Sequence, residues 1–406
     1  MFSQKKWDVV SITPAHRLLD SRANKFHKTA TKKGLLTCII SNFGKEIQYF
    51  ENYQTSKIPK RIGNLDTQKL NLVKQIWNFY KNHNNLPINA LLLPALIVGY
   101  ISRVLYINFF RIKFFKSKVL IVHEAFFLPL ALVHKFFYKS QIIVDVHDDY
   151  RNIINKQNST MFHIIFKNLF DETSRRILYK IANIRITVSH SLAQELKLIY
   201  ARDFEVIRNI NSFFIENENL IKKQYLQPRI SSNSVYRGIF IGNNKNSLKL
   251  DWLYDEFWNT EKYEFNFFGN GYDSIKLVSD VQHVRFHQAI DFNSEFFDFN
   301  DFDFGFIPLD IQNKSVKYAL PNGFFTLNDA QLPILMPNII ELDSLNKKYN
   351  IGRLSNFQNA KNVYKDLAML IQEYFECSRK NILTCEIHDW NAEEKIFIKL
   401  LDSLLN

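Results

Sequence analysis

Cysteine is nearly absent from this chain, with Cys38, Cys377 and Cys385 the only three in 406 residues. The number is odd and the spacing fits no metal-binding pattern, which argues against a disulfide framework and against a zinc site. A reducing compartment, the cytoplasm, is the expectation. The opening stretch, MFSQKKWDVVSIT, runs straight into strand-like residues and lacks the apolar core and small-residue cleavage site of a secretory signal. Long hydrophobic runs are missing too. The most lipophilic segment, residues 86 to 110, is broken by Pro94 and Arg103, and its uncharged part falls short of the ~20 residues that span a bilayer. No low-complexity tract or short-period repeat is present.

What the chain has in excess is positive charge: 52 Lys and Arg against 40 Asp and Glu, a formal net charge of +12. Such a balance favours anionic partners, whether nucleotides, phospholipid surfaces or nucleic acid. The basic residues are scattered and the aromatic residues fall at core positions, so nucleic acid is not the expected partner. Behind the lipophilic segment stand Arg111, Lys113, Lys116 and Lys118. That combination suits a buried helix with a solvated basic turn and equally suits a segment lying at an anionic leaflet. Peripheral contact with the inner face of the cytoplasmic membrane is therefore an expectation for residues 86 to 118.

A hydrophobic content of 46% over 406 residues implies a globular chain too long for one ordinary core, hence two domains. In the first half WDVVSIT, GLLTCIIS, KVLIVHEAF, QIIVDVHDDY and NIRITVSHS are apolar strand candidates separated by helical patterns, and a polar, basic helix is expected near residues 20 to 33. Continuous Val/Ile runs between helices indicate a parallel sheet covered on both faces, a doubly wound α/β domain. From about residue 206 the pattern restarts with FEVIRNI, YRGIFIGNN, YEFNFFGNG, HVRFHQAI, FDFGFIPLD and LPILMPN. The last stretch, DWNAEEKIFIKLLDSLLN, has helical spacing behind Asp389 as a cap. The fold class is thus α/β with two Rossmann-like domains, at 1–205 and 206–385, and a final helix at 386–406. Ligands of such a pair belong in the cleft at the carboxyl ends of both sheets, which directs attention to the loops that follow strands.

Two glycine loops in the second half meet that condition, GIFIGNNKNS with Gly242 and FNFFGNGYDS with Gly269 and Gly271. Glycines let a backbone approach a ligand closely, and loop amides can meet phosphate oxygens. Pro321, Asn322 and Gly323 then open a short helix whose amino end suits a diphosphate, with Lys314 and Lys317 just upstream. In the first half His147, Asp148 and Asp149 end one strand, while His123 and Glu124 end the preceding one. A histidine beside carboxylates there can act as a base, orient a hydroxyl or hold a sugar. The Ser-His pair of TVSHS reads as a helix cap.

With these pieces in order the chain resembles the GT-B glycosyltransferases, particularly glycosyltransferase family 4 and its relatives in bacterial polysaccharide assembly. DSRANKFHKTATKKGLLTCIIS is similar to the family's opening pattern, with Asp20, Arg22 and Lys25 at the matching places. QIIVDVHDDY is similar to its strand ending in Asp-x-His, ITVSHSLAQEL to its Ser-capped helix, and FFGNGYDSIKL and LPNGFFTLNDAQLPIL to its donor-side loops. The resemblance implies a final helix crossing back to the first domain. It implies a metal-independent hexosyltransferase-type enzyme, without cofactor, that takes a nucleotide-sugar donor and a glycan or lipid-linked oligosaccharide acceptor for capsule, lipopolysaccharide or exopolysaccharide synthesis. On this reading Gly242, Lys245, Gly269, Gly271, Tyr318, Pro321, Asn322, Gly323 and Thr326 hold the donor, and His147, Asp148, Asp149, His123 and Glu124 face the acceptor. The chain departs from the family where a lysine and a glutamate commonly stand, at Gly323 and Thr326; Thr326 or Asp329 then takes the carboxylate's place. Those departures motivate a second reading, a nucleotide-sugar-binding assembly subunit without catalysis, and a nucleotide-sugar epimerase of the same fold is a third.

Overall fold

The structure, a computed structural model, describes residues 6–14, 21–43, 46–51, 104, 107–108, 115–147, 161–210, 235–245, 247–255, 258, 262–272, 283–290, 297–313, 316–376 and 390–405. Two compact units divide the chain. The first comprises Met1–Val188, Ala193–Ile207 and Glu394–Asn406, and the second Ser189–Leu192 with Arg208–Glu393.

The first unit is built on β1 (Lys6–Thr13), β2 (Thr37–Phe43), β3 (Glu46–Glu51), β4 (Lys116–Val122), β5 (Gln141–Val146), β6 (Ile184–Thr187) and β7 (Glu205–Val206). They form one sheet in the order β3-β2-β1-β4-β5-β6-β7. Six strands run parallel, and β3 is antiparallel to β2. The apolar runs are buried without alternation, as in Val119 to Val122 and Ile142 to Val144, because helices cover both faces. Those helices are α1 (Ser21–Lys32), α2 (Leu128–Phe136), α3 (Met161–Ile181) and α4 (His190–Tyr200). FEVIRNI, expected to begin the second half, instead supplies β7 to the first sheet, pairing Ile186 with Glu205. The run is only two residues long in the ladder, so its apolar composition reflects the burial of Ile207 rather than a new sheet.

The second unit carries β8 (Tyr236–Ile241), β9 (Tyr263–Phe268), β10 (Val284–His287), β11 (Phe304–Phe306), β12 (Ile334–Pro337) and β13 (Gly352–Ser355). All are parallel, in the order β10-β9-β8-β11-β12-β13. Its helices include α5 (Asn322–Asp329), α6 (Ile340–Tyr349) and α7 (Ala360–Ile371). One half of its core is aromatic, with Phe265, Phe267, Phe304 and Phe306 in edge contacts, and Gly238 leaves room for the Phe304 ring 2.4 Å from where a Cβ would stand.

The final helix α8 (Trp390–Leu405) contributes to the first unit from Glu394 onward. Phe397 stacks on Phe26 of α1 at 4.2 Å, the Thr29 hydroxyl donates to Glu394 at 2.7 Å, and Lys33 pairs with Asp402 at 2.6 Å. Asp389, expected as its cap, lies outside the described residues. So does most of the apolar segment 86–118, including Arg111 and Lys113. Of its described members, Val104, Ile107 and Asn108 are buried, and the Asn108 amide donates to the carbonyls of Val104 and Phe126 at 2.8 and 3.2 Å. Among the described residues no helix is long and apolar enough to cross a membrane.

Candidate active site

Four side chains converge at the carboxyl end of the first sheet. Asp145 sits in the apolar run of β5 and is 1% exposed; Arg22, in the first turn of α1, is equally buried. The Arg22 Nε donates to both carboxylate oxygens, at 2.9 and 2.8 Å, while its Nη1 donates to the carbonyl of Ile207. His147 Nε2 lies 2.7 Å from Asp145 Oδ2, and His123 Nδ1 lies 3.1 Å from the same oxygen and 3.1 Å from His147 Nε2. Burial by itself pushes the Asp145 carboxyl up. Arg22 and then His147 outweigh it, and hydrogen bonds from both histidines hold the group well below the usual carboxylate range. An ionised carboxylate only accepts, so the protons on His147 Nε2 and His123 Nδ1 point to Asp145. That tautomer makes His147 Nδ1 the basic nitrogen of the ring, and His147 is the only half-exposed member of the four.

The nitrogen, nitrogen and oxygen of His123, His147 and Asp145 lie within 4.8 Å of one another, a set that could in principle hold a metal ion. The residues fit that use poorly. Both Asp145 oxygens already accept from a buried guanidinium, whose charge opposes a dication. A metal-bound histidine also normally donates its second nitrogen outward, whereas the buried His123 Nε2 has no partner among the described residues. A proton-holding network fits better. Lys25 stands one turn along α1, and burial followed by the nearby Arg22 brings its ammonium down to about 7.

Of the residues expected here, His123 and His147 stand 3.1 Å apart, at the ends of the paired strands β4 and β5. Glu124 lies next to His123, half-buried, ahead of the turn that leads into α2. Asp148, Asp149 and Asp20 lie outside the described residues. Sequence reasoning missed Asp145 as the carboxylate that organises the cluster. A lone charge inside an Ile/Val run was the available signal, because such a group is almost never buried without a partner.

In the second unit the two glycine loops meet each other and the amino end of α5. A Cβ on Gly269 would fall 2.1 Å from the Gly242 carbonyl oxygen, and one on Gly323 would fall 2.6 Å from the Ile241 carbonyl oxygen. Hydrogen bonds knit the loops: Gly242 N to Phe268 O, Asn244 N to Asn270 O and Asn270 N to Asn243 Oδ1, each at 2.9 Å, and the Tyr272 hydroxyl to Gly242 O at 2.7 Å. Those amides are therefore engaged, and the glycines serve close approach of one loop to the other. Gly271 adopts φ +86°, a conformation that suits glycine. Pro321 is the extended residue before α5, with Asn322 exposed at its mouth. Thr326 is 2% exposed and faces the core, and Tyr318 is buried with its carbonyl accepting from the Ser189 hydroxyl at 3.0 Å. Lys245 is exposed, Lys317 places its ammonium 4.9 Å from the Tyr318 ring, and Lys314 lies outside the described residues. His287, which sequence reasoning passed over, stacks on Phe268 at 4.3 Å beside Gly269 and meets Asn266 Oδ1 at 2.9 Å. Ser189 does cap α4, accepting from Leu192 N at 3.3 Å.

No protein-family model matches this sequence, and no curated protein does. Solved structures do match over the whole chain. Sucrose-phosphate synthase from Thermosynechococcus elongatus superposes with a TM-score of 0.60 at 10% identity, covering 98% of this chain and 99% of that one. The fold is GT-B. Two further structures agree: a glycosyltransferase from Rickettsia africae has a TM-score of 0.55 at 13% identity over 99% of both chains. HepE from Anabaena, solved in complex with UDP-glucose, gives 0.55 at 10% identity over 98% of this chain and 100% of that one. At these identities the likeness establishes the GT-B fold; the chemistry has to be argued from this chain's own residues.

Proposed function

We propose that this protein is a metal-independent glycosyltransferase of the family 4 type, moving a hexose from a nucleotide-sugar to an acceptor hydroxyl in bacterial capsule, lipopolysaccharide or exopolysaccharide synthesis. The observation that carries the donor side is the convergence of the Gly242 loop, the Gly269 loop and the amino end of α5 at one end of the second sheet. Phosphate charge there is met by the helix end and by Lys245 or Lys317. HepE, with the same fold, is a UDP-glucose complex, which supports a nucleotide-sugar in this chain's second unit. The acceptor lies against His147 and Glu124 in the first, with the buried His123 behind them. His147 Nδ1, its ring oriented by Asp145, takes the acceptor proton in an inverting reaction or contacts the transferred sugar in a retaining one.

The test of the donor site is a thermal-shift panel of UDP, GDP, CMP, ADP and dTDP. One nucleotide is expected to raise the melting temperature by mass action, and no response to any of the five would remove the donor assignment. His147→Ala is expected to lower transfer by roughly 10²–10⁴-fold while the nucleotide-induced shift stays unchanged. A fully active variant would take His147 out of the reaction.

The burial of Thr326 favours keeping a second reading, a nucleotide-sugar-binding subunit without turnover. At 2% exposure its hydroxyl does not replace the carboxylate that the family commonly places there. A nucleotide-specific shift with neither donor hydrolysis nor transfer to any acceptor would favour that reading.

A further inference from the structure

Between residues 67 and 144 the sequence holds ten lysines and arginines and a single carboxylate, Glu124. At the chain's average of 40 carboxylates in 406 residues, a stretch of that length would hold about eight. The depletion is therefore local, and the described part of it shows where it leads. α2 ends in Phe136 and Phe137, which are 57% and 79% exposed, and the turn to β5 continues through Tyr138 and Lys139.

This exposure is built into a rigid turn. His134, fully buried in the last turn of α2, approaches Ser140 Oγ at 3.1 Å and Ser117 Oγ at 3.3 Å, and the Ser140 amide donates to the His134 carbonyl at 2.9 Å. The Phe137 amide closes on Val133 O at 2.9 Å, and Lys139 takes the left-handed φ of 57° that ends the helix. With the inward positions held by Leu130, Ala131 and His134, both phenylalanines stay outside. Lys135 and Lys139 flank them in the chain. The Lys116 ammonium lies 5.7 Å from the Tyr138 ring, Lys135 donates to Asn183 Oδ1 at 2.7 Å, and Lys139 is exposed. Lys118, by contrast, is already paired with Asp8 at 2.9 Å.

We propose that the α2–β5 turn, with Phe136 and Phe137 at its tip and with Lys116, Lys135 and Lys139 as its cations, docks on an anionic lipid bilayer. Adjacent aromatic side chains enter the headgroup boundary while the lysines meet lipid phosphates, and neither contribution alone holds a protein there. The charge complementarity favours a lipid surface over a second copy of this chain, which would bring the same lysines together. The exposed phenylalanine pair favours it over duplex nucleic acid, whose phosphate backbone offers those rings no apolar partner. The proposal does not depend on the transferase reading.

The experiment is vesicle flotation of the full chain with pure phosphatidylcholine vesicles and with vesicles containing roughly one-third phosphatidylglycerol. The protein is expected to float with the anionic vesicles only. Phe136→Ser with Phe137→Ser should reduce the bound fraction about tenfold, and Lys116→Gln, Lys135→Gln and Lys139→Gln together should do the same. As a gain of signal, Phe137→Trp should show a blue-shifted emission component on anionic vesicles that is absent with neutral ones. Melting temperatures equal to wild type confirm that the surface variants are folded. Three results would overturn the proposal: no flotation of the wild type, flotation of the double phenylalanine variant at the wild-type level, or an emission spectrum of the Phe137→Trp variant that anionic vesicles leave unshifted. Oligonucleotide binding lost in the lysine variant without vesicle binding would assign the surface to nucleic acid instead, and a concentration-dependent dimer abolished by the phenylalanine variant, again without vesicle binding, would assign it to self-association.

Discussion

Asp145→Asn is expected to destabilise the first unit by about 3–5 kcal/mol, the usual cost of leaving a buried charge without its counterion. The stranded group is Arg22, which is 1% exposed and gives its Nε to both Asp145 oxygens. Asparagine has nearly the same volume, so the loss isolates charge from packing. For a unit of this size the change corresponds to a melting temperature lower by roughly 10 °C, readable by calorimetry or urea titration. The pH dependence gives a second readout. Because the folded carboxyl is held well below its ordinary value, its contribution is fully present above the unfolded value of about 4 and is lost as pH falls through the folded one. The variant should therefore lose part of the wild-type stability difference between neutral and strongly acid solution. A variant as stable as wild type, with an unchanged acid limb, would mean that Arg22 finds another acceptor.

The other large effect belongs to Gly269→Ala. Its new methyl group would stand 2.1 Å from the Gly242 carbonyl oxygen and 2.6 Å from the carbonyl carbon, and backbone cannot yield as a flexible side chain would. The two loops must part, straining the Gly242 N to Phe268 O bond and the Tyr272 hydroxyl's bond to Gly242 O. Overpacking of this kind costs about 1–3 kcal/mol or more. The nucleotide-induced thermal shift should disappear together with the loop pairing, even where the variant still folds. Retention of both the melting temperature and the nucleotide response would show that the loop junction is looser than its geometry indicates.

How far the sequence led can be judged residue by residue. Val119 to Val122 and Ile142 to Val144 announced a sheet buried on both faces, since only helices on each side let such runs go without alternation. LPNGFFTLNDAQLPIL was likewise legible as a turn, the short helix α5 and the strand β12, because proline before the first turn and apolar spacing after it are local signals. β3 was not legible: EIQYFE alternates only loosely, and its antiparallel pairing with β2 is settled by a partner rather than by its own composition. The same limit applies to the candidate sites. His123 and His147 could be placed at strand ends, yet the carboxylate joining them was hidden in an apolar run and its guanidinium partner lies 123 positions away. The glycine loops were visible as phosphate-type turns, whereas the engagement of their amides by each other depends on a match across 27 positions. Long-range pairing, unlike capping or periodicity, leaves little trace in a single sequence.

The place of α8 bears on how the molecule comes into being. Phe397 and Leu401 are fully buried in the first unit, with Phe397 against Phe26, but they follow residues 208–393 in the chain. During synthesis the second unit's residues therefore emerge in full before the first unit receives the side chains that fill its core. At ordinary elongation rates of ~5–20 residues per second, that leaves the earlier-made half waiting roughly 10–40 seconds with the Phe26 face of α1 uncovered. The half of the protein that is translated first is thus the half whose core is completed last.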